Sequence, residues 1–199
     1  MKMPLVAKKI ASALGMSPKD NRSRRFVAVI ECLLNQNARD LGAATCPAIN
    51  KDLVQLCMKY DIGILQIPCP EMSFMGLRRE RPPGKTIRDC LDTAAGRQCC
   101  QEISREIADR VQEYIRNGSQ PQAILGGNPE SPGCAVHNER NQQGIERLAN
   151  KSGVLMQALQ EELRSRDIEI PLKGIRDHRA DLLNEDLKWV EAIFRGEKR

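Results

Sequence analysis

Three short apolar runs along the chain have the length and composition of buried strands. The strands that they predict cover residues 26–31, 62–67 and 122–126. Each run is continuous rather than alternating, which is typical of parallel strands that are covered on both faces. Ile168 and Ile170 predict a short fourth strand near the carboxyl end of the chain.

Amphipathic segments separate these runs and predict helices. Pro47 marks the first turn of a helix with Leu53, Cys57 and Tyr60 on one face, and Asn117 with Gly118 ends a second helix that starts near residue 103. Residues 154–163 and 182–194 repeat the helical spacing. The segment from about residue 68 to about residue 100 is expected to be a long loop.

The order of these elements is β-α-β-α-β-α-β-α, which predicts the fold class directly. Such alternation favours a parallel sheet with right-handed crossovers. We therefore predict an α/β protein with one Rossmann-like domain, built on a mostly parallel four-stranded sheet with helices on both faces. Residues 1–25 are predicted to be a basic N-terminal extension with a short helix ending near Gly15, and residues 26–199 to be the domain and its C-terminal helix.

Three of the eight cysteines share one placement, just past a predicted strand and inside a polar loop. They are Cys32, Cys69 and Cys134. Parallel strands end at the same edge of a sheet, where open α/β folds bind ligands, so the three sulfur atoms are expected to converge. No Cys-x-x-Cys pair is present, as a structural zinc ribbon would require. Three thiolates without an obvious fourth suggest a metal or cluster site with one open position.

The net charge of the chain says little about which class of partner it binds. The net charge is +5, but 26 acidic residues are interspersed with 31 basic ones, and aromatic residues make up only 3%. A mixed, solvated surface is therefore favoured, and RNA is possible as a partner but not favoured. The basic cluster from Arg78 to Arg81 follows Cys69 and is a candidate for binding an anionic group.

The beginning of the sequence predicts a cytoplasmic protein. Lys2, Lys8 and Lys9 interrupt any apolar signal segment, and no run approaches the ~20 apolar residues of a membrane span. In a reducing compartment, cysteines are metal ligands, nucleophiles or buried apolar residues before they are disulfides. Cys57, on the apolar face of a helix, is most simply a packing residue.

Three motifs in the order expected for one family carry a resemblance. They are Cys32-Leu33-Leu34-Asn35 with Arg39-Asp40-Leu41-Gly42, then Cys69-Pro70-Glu71 with Gly76-Leu77 and Arg81-Pro82, and finally Ser131-Pro132-Gly133-Cys134-Ala135. Over roughly residues 26–171 the chain resembles the thiouracil desulfidases, and more narrowly a related branch of desulfidases. It departs from their pattern at Asn35, where the family has Gly, in the missing Tyr after Arg39, and at Gly133 and Ala135, where the family has Ser and Gly.

The resemblance implies a [4Fe-4S] cluster held by Cys32, Cys69 and Cys134. One iron would then lack a protein ligand and would take the sulfur of a thiolated small molecule, such as a thio-nucleobase. The products would be the oxo compound and sulfide. A soft iron suits this chemistry because it binds sulfur and acts as a Lewis acid on the attached carbon.

The resemblance also implies roles for four further residues. Glu71 would be the catalytic acid or base, Ser131 would hydrogen-bond the substrate or its sulfur, and Arg39 with Asp40 would contact the substrate. From the residues alone, Glu71 can also be a solvated loop carboxylate and Ser131 a turn residue. For Arg39 and Asp40, a surface ion pair is an equal alternative. Neither His137 nor His178 is expected to be a ligand.

Two other functions remain open on the sequence alone. The first is a carrier that stores or delivers sulfide through the same cluster to a partner protein. The second is a structural zinc module. An enzyme differs from the carrier in requiring Glu71 and in releasing more than one equivalent of sulfide.

Overall fold

The computed structural model describes residues 20–140 and 146–197. Its strands are β1 (Arg25–Ile30), β2 (Gly63–Ile67), β3 (Gln120–Gly126), β4 (Asn138–Arg140), β5 (Glu146–Leu148) and β6 (Leu172–Gly174). Four of them form an all-parallel sheet in the order β2-β1-β3-β6. The other two, β4 and β5, pair antiparallel as a separate hairpin.

In the described part of the chain, seven α-helices surround the sheet. They are α1 (Glu31–Leu34), α2 (Lys51–Lys59), α3 (Pro70–Met75), α4 (Ile87–Leu91), α5 (Ala94–Arg116), α6 (Val154–Arg164) and α7 (Ala180–Phe194). Helix α5 packs against α6, and α2 packs against α7. The predicted fold class is therefore confirmed: the protein is α/β, with a Rossmann-like parallel sheet covered by helices.

The continuous apolar runs become the centre of the core. Val27, Val29 and Ile30 of β1 are fully buried, as are Ile124 and Leu125 of β3, because helices cover both faces of these inner strands. Strand β2 lies at the edge of the sheet, and its pattern is correspondingly mixed, with Ile64 exposed and Leu65 and Ile67 buried. Cys57 packs in the same core, as its helical position predicted.

The strand register brings the carboxyl ends of the strands to one edge. Ile30, the last residue of β1, pairs with Ile67, the last residue of β2. Gly126, the last residue of β3, pairs with Gly174 of β6. The loops that follow these strands therefore start side by side.

Three boundaries differ from the sequence prediction. Helix α2 starts at Lys51 rather than near Pro47, because the side chain of Asn50 accepts a hydrogen bond from the Leu53 backbone and caps the helix. The segment predicted as a long loop from 68 to 100 contains α3, α4 and the start of α5. The fourth strand begins at Leu172, after Pro171, so Ile168 and Ile170 precede it and pack at the core instead.

The hairpin of β4 and β5 was not predicted, since each strand has only three residues. The predicted helix ending near Gly15 lies outside the described residues. Within residues 20–140 and 146–197, no helix combines the length and apolar character that crossing a bilayer requires.

Candidate functional site

A cavity of about 330 Å³ lies at the carboxyl edge of the sheet. This is the size range of pockets that bind small molecules, and the carboxyl edge is where open α/β sheets bind them. The three cysteines and the four further residues to which the resemblance assigns roles all line it: Cys32, Arg39, Asp40, Cys69, Glu71, Ser131 and Cys134. The remaining wall includes Ala43, Arg79, Ile87, Gly127, Asn128, Glu130, Pro132 and His178.

Cys32 and Cys69 occupy equivalent places after neighbouring strands. Each lies two residues beyond a strand end, and those two strand ends pair with each other. Cys32 is the second residue of α1, and Cys69 is the N-cap of α3. The buried carboxylate of Glu31 accepts a hydrogen bond of 2.9 Å from the backbone N–H of Cys69, which ties the two loops together.

Cys134 returns to the same edge through a tight loop after β3. The backbone N–H of Gly127 donates to the Cys134 carbonyl at 2.9 Å, so the loop closes on itself. A Cβ atom at Gly127 would lie 2.6 Å from the Cys134 sulfur. Only glycine therefore allows the backbone to pass this close to the thiol.

The thiols of the cavity differ in how readily they lose a proton. A hydrogen bond from Cys134 lowers the pKa of Cys32, and the positive charge of Arg39 favours the Cys32 thiolate further. The same bond raises the pKa of Cys134, and complete burial raises it further. Burial raises the pKa of Cys69 to about 11. In the protein without a metal, Cys32 loses its proton more easily and Cys134 less easily. A soft metal cation binds thiolates, so it would replace the protons of all three thiols.

Glu71 and Ser131 meet across the cavity. The Ser131 hydroxyl lies 3.1 Å from Glu71 Oε1 and also 3.1 Å from the Cys134 sulfur. Glu71 Oε1 additionally accepts from the backbone N–H of Gly133 at 3.3 Å. Ser131 has a single hydroxyl proton, so it can point that proton at the carboxylate or at the sulfur. The two residues thus form a connected pair at the thiol.

Only Arg79 of the predicted basic cluster lines the cavity, and it is not free to bind an anion. Arg78 and Arg81 are exposed outside the wall. Arg79 is buried, and its guanidinium donates to the carbonyls of Ala38, Gly76 and Leu77. It also lies 3.5 Å from Glu71 Oε2 and 3.5 Å from the Cys69 sulfur. The prediction that the basic residues line the cavity was therefore wrong for Arg78 and Arg81. Arg79 instead holds neighbouring parts of the wall together through these contacts.

Arg39 and Asp40 do not form the surface ion pair that the sequence left open. Arg39 pairs at 2.5 Å with Asp177, which follows β6 and was not singled out in the sequence. Both side chains are buried, with 7% and 1% of their surfaces exposed. Asp177 also accepts from Thr45 and Gln36. Asp40 accepts from the Leu41 backbone with its side chain.

Both histidines make hydrogen bonds, His178 at an exposed position and His137 at a partly buried one. His178 lies in the cavity wall, outside α7, and its Nδ1 is 2.9 Å from Asn128 Oδ1. His137 lies against the Pro129 carbonyl at 2.8 Å and is not part of the wall. The sequence reasoning missed Asn128 and Asp177, because they carry no motif and reach the site only through the folding of β3 and β6. It considered His178 only as a ligand and did not expect that role.

The donor set of the cavity can be compared with what a metal centre requires. Across the described part of the chain, no three His, Cys, Asp or Glu side chains group tightly enough for a single metal ion. An iron-sulfur cluster takes each thiolate on a different iron, so its ligands need not meet at one point. Three cysteines line the wall, whereas Cys90, Cys99 and Cys100 lie outside it. None of the eight cysteines is in a disulfide. This donor set fits a three-cysteine cluster.

The chain is similar to the uncharacterized protein MJ0003 of Methanocaldococcus jannaschii. The two are 30% identical over 119 residues, which cover 60% of this chain and 72% of the relative. No protein-family model matches the chain. No solved structure matches it. The identity and the share of the relative that is covered show that the chain belongs to the same family as MJ0003.

Proposed function

We propose that this protein is an iron-sulfur-dependent enzyme that removes sulfur from a thiolated small molecule, such as a thio-nucleobase, without net oxidation or reduction. The observation that carries the proposal is the meeting of three cysteines with the Glu71–Ser131 pair in one cavity. Thiol ligands alone would suit storage or a structural centre. A hydrogen-bonded carboxylate and hydroxyl beside them provide the proton transfer that hydrolysis needs.

The reaction replaces sulfur by oxygen from water. Water adds to the thiocarbonyl carbon, the carbon–sulfur bond breaks, and the sulfur leaves as hydrosulfide, so the products are the oxo compound and sulfide. Cys32, Cys69 and Cys134 would hold the cluster. When bound, the cluster supplies an iron without a protein ligand, a soft Lewis acid for the substrate's sulfur.

Glu71 is the group that moves the proton. Its Oε1 accepts hydrogen bonds from Ser131 and Gly133, and its Oε2 faces the Arg79 guanidinium, so the carboxylate is held in one orientation. In that orientation it can take a proton from the attacking water. Ser131 donates to the same oxygen or to a sulfur beside Cys134, so it can follow the charge as the bond to sulfur breaks.

Sulfide release under anaerobic conditions tests the proposed function. Protein with its full iron content is incubated with excess thiouracil, and both sulfide and uracil are measured over time. The proposal predicts equal amounts of the two products and many equivalents per chain. Release that stops at one equivalent of sulfide would identify the carrier, and no uracil would contradict the enzyme.

A further inference from the structure

We propose that Arg79 is a positioning residue that acts through Cys69: its buried guanidinium binds the sulfur of this ligand and raises the reduction potential of the cluster held there. The proposal rests on the cluster of the proposed function, but not on the removal of sulfur from a substrate. A cation at the ligand also makes the iron more electron-poor, and therefore a stronger Lewis acid.

Every N–H group of the Arg79 guanidinium has an acceptor. An arginine side chain carries five such donors in one plane. Three of them donate to backbone carbonyls, those of Ala38, Gly76 and Leu77. The two that remain face Glu71 Oε2 and the Cys69 sulfur, each at 3.5 Å. The carbonyl bonds therefore fix the plane of the guanidinium, and that plane directs one donor at a cysteine of the cavity.

The charge of Arg79 is buried and incompletely balanced. Only 1% of its side-chain surface is exposed, and the Glu71 carboxylate that faces it lies 3.5 Å away. Arg39, in the same wall, meets its buried partner Asp177 at 2.5 Å. Hydrogen bonds between charged groups are usually about 2.7–2.9 Å long. A buried charge needs close compensation, so Arg79 needs a further negative group beside it.

Arg79 also has an unfavourable backbone conformation. Its φ angle is 50°, in the left-handed region that residues other than glycine rarely adopt. Such conformations persist where surrounding contacts hold them, and they cluster at functional sites. The strained residue of this loop is the one whose side chain reaches Cys69.

A bound cluster would supply the missing negative charge. Three thiolates outweigh the positive charge of a [4Fe-4S] core, so the whole group is an anion. Reduction adds one electron and makes this anion more negative, which a neighbouring cation favours. Hydrogen bonds to the ligand sulfur are among the factors that set cluster potentials. Arg79 provides both the charge and the N–H at Cys69.

A redox titration of the anaerobic, iron-loaded protein tests this role without a substrate. Arg79→Met removes the charge and the N–H. It should lower the reduction potential by ~59 mV or more, the one-electron equivalent of a tenfold change in the ratio of reduced to oxidised cluster. Arg79→Lys keeps a charge and should lower the potential less. Arg110→Met, which removes an exposed guanidinium that pairs with Glu106 on α5, is the matched control and should leave the potential unchanged.

The direction of the shift separates this role from a purely structural one. If Arg79 only ordered its loop, its loss would admit water to the cluster, and water favours the more negative, reduced state. The potential would then rise or stay the same, and less cluster would be bound. An unchanged or higher potential in Arg79→Met would therefore refute the proposal.

Magnetic resonance tests the contact in the unmodified protein, even if Arg79→Met binds no cluster. In reduced protein labelled with ¹⁵N-arginine, pulsed electron paramagnetic resonance should detect a nitrogen coupled to the cluster. This coupling should be lost in Arg79→Lys. The absence of a coupled arginine nitrogen in the unmodified protein, or a coupling that Arg79→Lys leaves unchanged, would contradict the contact.

Thiouracil turnover distinguishes this proposal from the proposed function. If the potential falls as predicted but the unmodified protein releases no sulfide, the role of Arg79 is supported and the desulfidase is refuted. If sulfide is released and the potential does not fall, the enzyme is supported and the role of Arg79 is refuted. Unmodified protein that binds no cluster overturns both.

Discussion

Ser131 is a small side chain that contacts both halves of the site. Its hydroxyl lies 3.1 Å from a carboxylate oxygen of Glu71 and 3.1 Å from the sulfur of Cys134, and it accepts from the Cys134 backbone at 3.2 Å. Gly133, two residues further along the loop, allows this closeness. A Cβ atom there would lie 2.6 Å from Pro70 Cγ, so the loop could not approach Glu71 as it does.

Replacing the carboxylate tests its role in proton transfer. Glu71→Gln keeps the shape and the bond from Ser131 but cannot take a proton. We expect the iron content to remain and kcat for sulfide release to fall by about a hundredfold or more, the usual scale for a positioned acid or base. Glu80→Gln, which changes an exposed residue a few positions after the end of α3, is the control and should retain normal turnover. Normal turnover in Glu71→Gln would favour another base or the carrier.

Part of this site could be predicted at the residue level and part could not. Cys32 and Cys69 could be predicted because each closely follows a continuous apolar run. Asp177 could not, because it lies 138 positions from Arg39 in the sequence and only the pairing of β3 with β6 brings it close. Long-range ion pairs leave no periodic signal in a single sequence. For the same reason the sequence offers only the adjacent Asp40 as an ion-pair partner of Arg39, whereas the structure pairs Arg39 with Asp177.

At the level of elements, the site depends on how neighbouring loops are joined. Strands β1 and β2 end in register, and Glu31 bridges the loops that follow them by accepting from the backbone of Cys69. The sequence predicted β1, β2 and β3 well, because inner parallel strands are continuously apolar. It misplaced β6, which has three residues and follows a proline. It also misplaced the start of α2, because the helix begins after the N-cap Asn50 and not at Pro47.

Removing the bridge should loosen the Cys69 loop. Glu31→Ala leaves the buried N–H of Cys69 without its partner, which costs about 1–3 kcal/mol in the free energy of unfolding. Urea denaturation followed by circular dichroism measures this loss. Glu102→Ala, which removes an exposed carboxylate bonded to Gln98 on α5, is the control and should change stability much less. Equal stabilities of the two variants would contradict the bridging role.

At the level of the whole molecule, α7 is attached to the sheet through a buried carboxylate. Asp186 is fully buried, and it accepts from Lys173, which lies in β6, and from Arg176, which lies just after β6. Burial raises the pKa of Asp186, but the bonds from Arg176 and Lys173 outweigh it and hold that pKa below its ordinary value of 3.8. The carboxylate therefore stabilises the folded protein when it is ionised.

This attachment predicts a pH dependence of stability with a definite sign. Because the pKa of Asp186 is lowered on folding, its contribution is complete above the ordinary value of 3.8 and is lost as the pH falls through the lower, folded-state value. Asp186→Asn should destabilise the protein by up to about 3–5 kcal/mol near neutral pH. The difference between the two proteins in urea denaturation should shrink as the pH is lowered below about 4. A difference that does not change with pH would contradict this assignment.

The most direct test of the account is the iron and acid-labile sulfide content of anaerobically purified protein and its cysteine variants. We predict about four irons and about four sulfides per chain, with a matching absorption spectrum. Cys32→Ser, Cys69→Ser and Cys134→Ser should each lose them, because the three thiols that line the cavity leave no redundancy. Cys57→Ser and Cys90→Ser, whose thiols lie in the core outside that wall, should retain them. Unmodified protein without iron, or a full complement in any of the first three variants, would contradict the account.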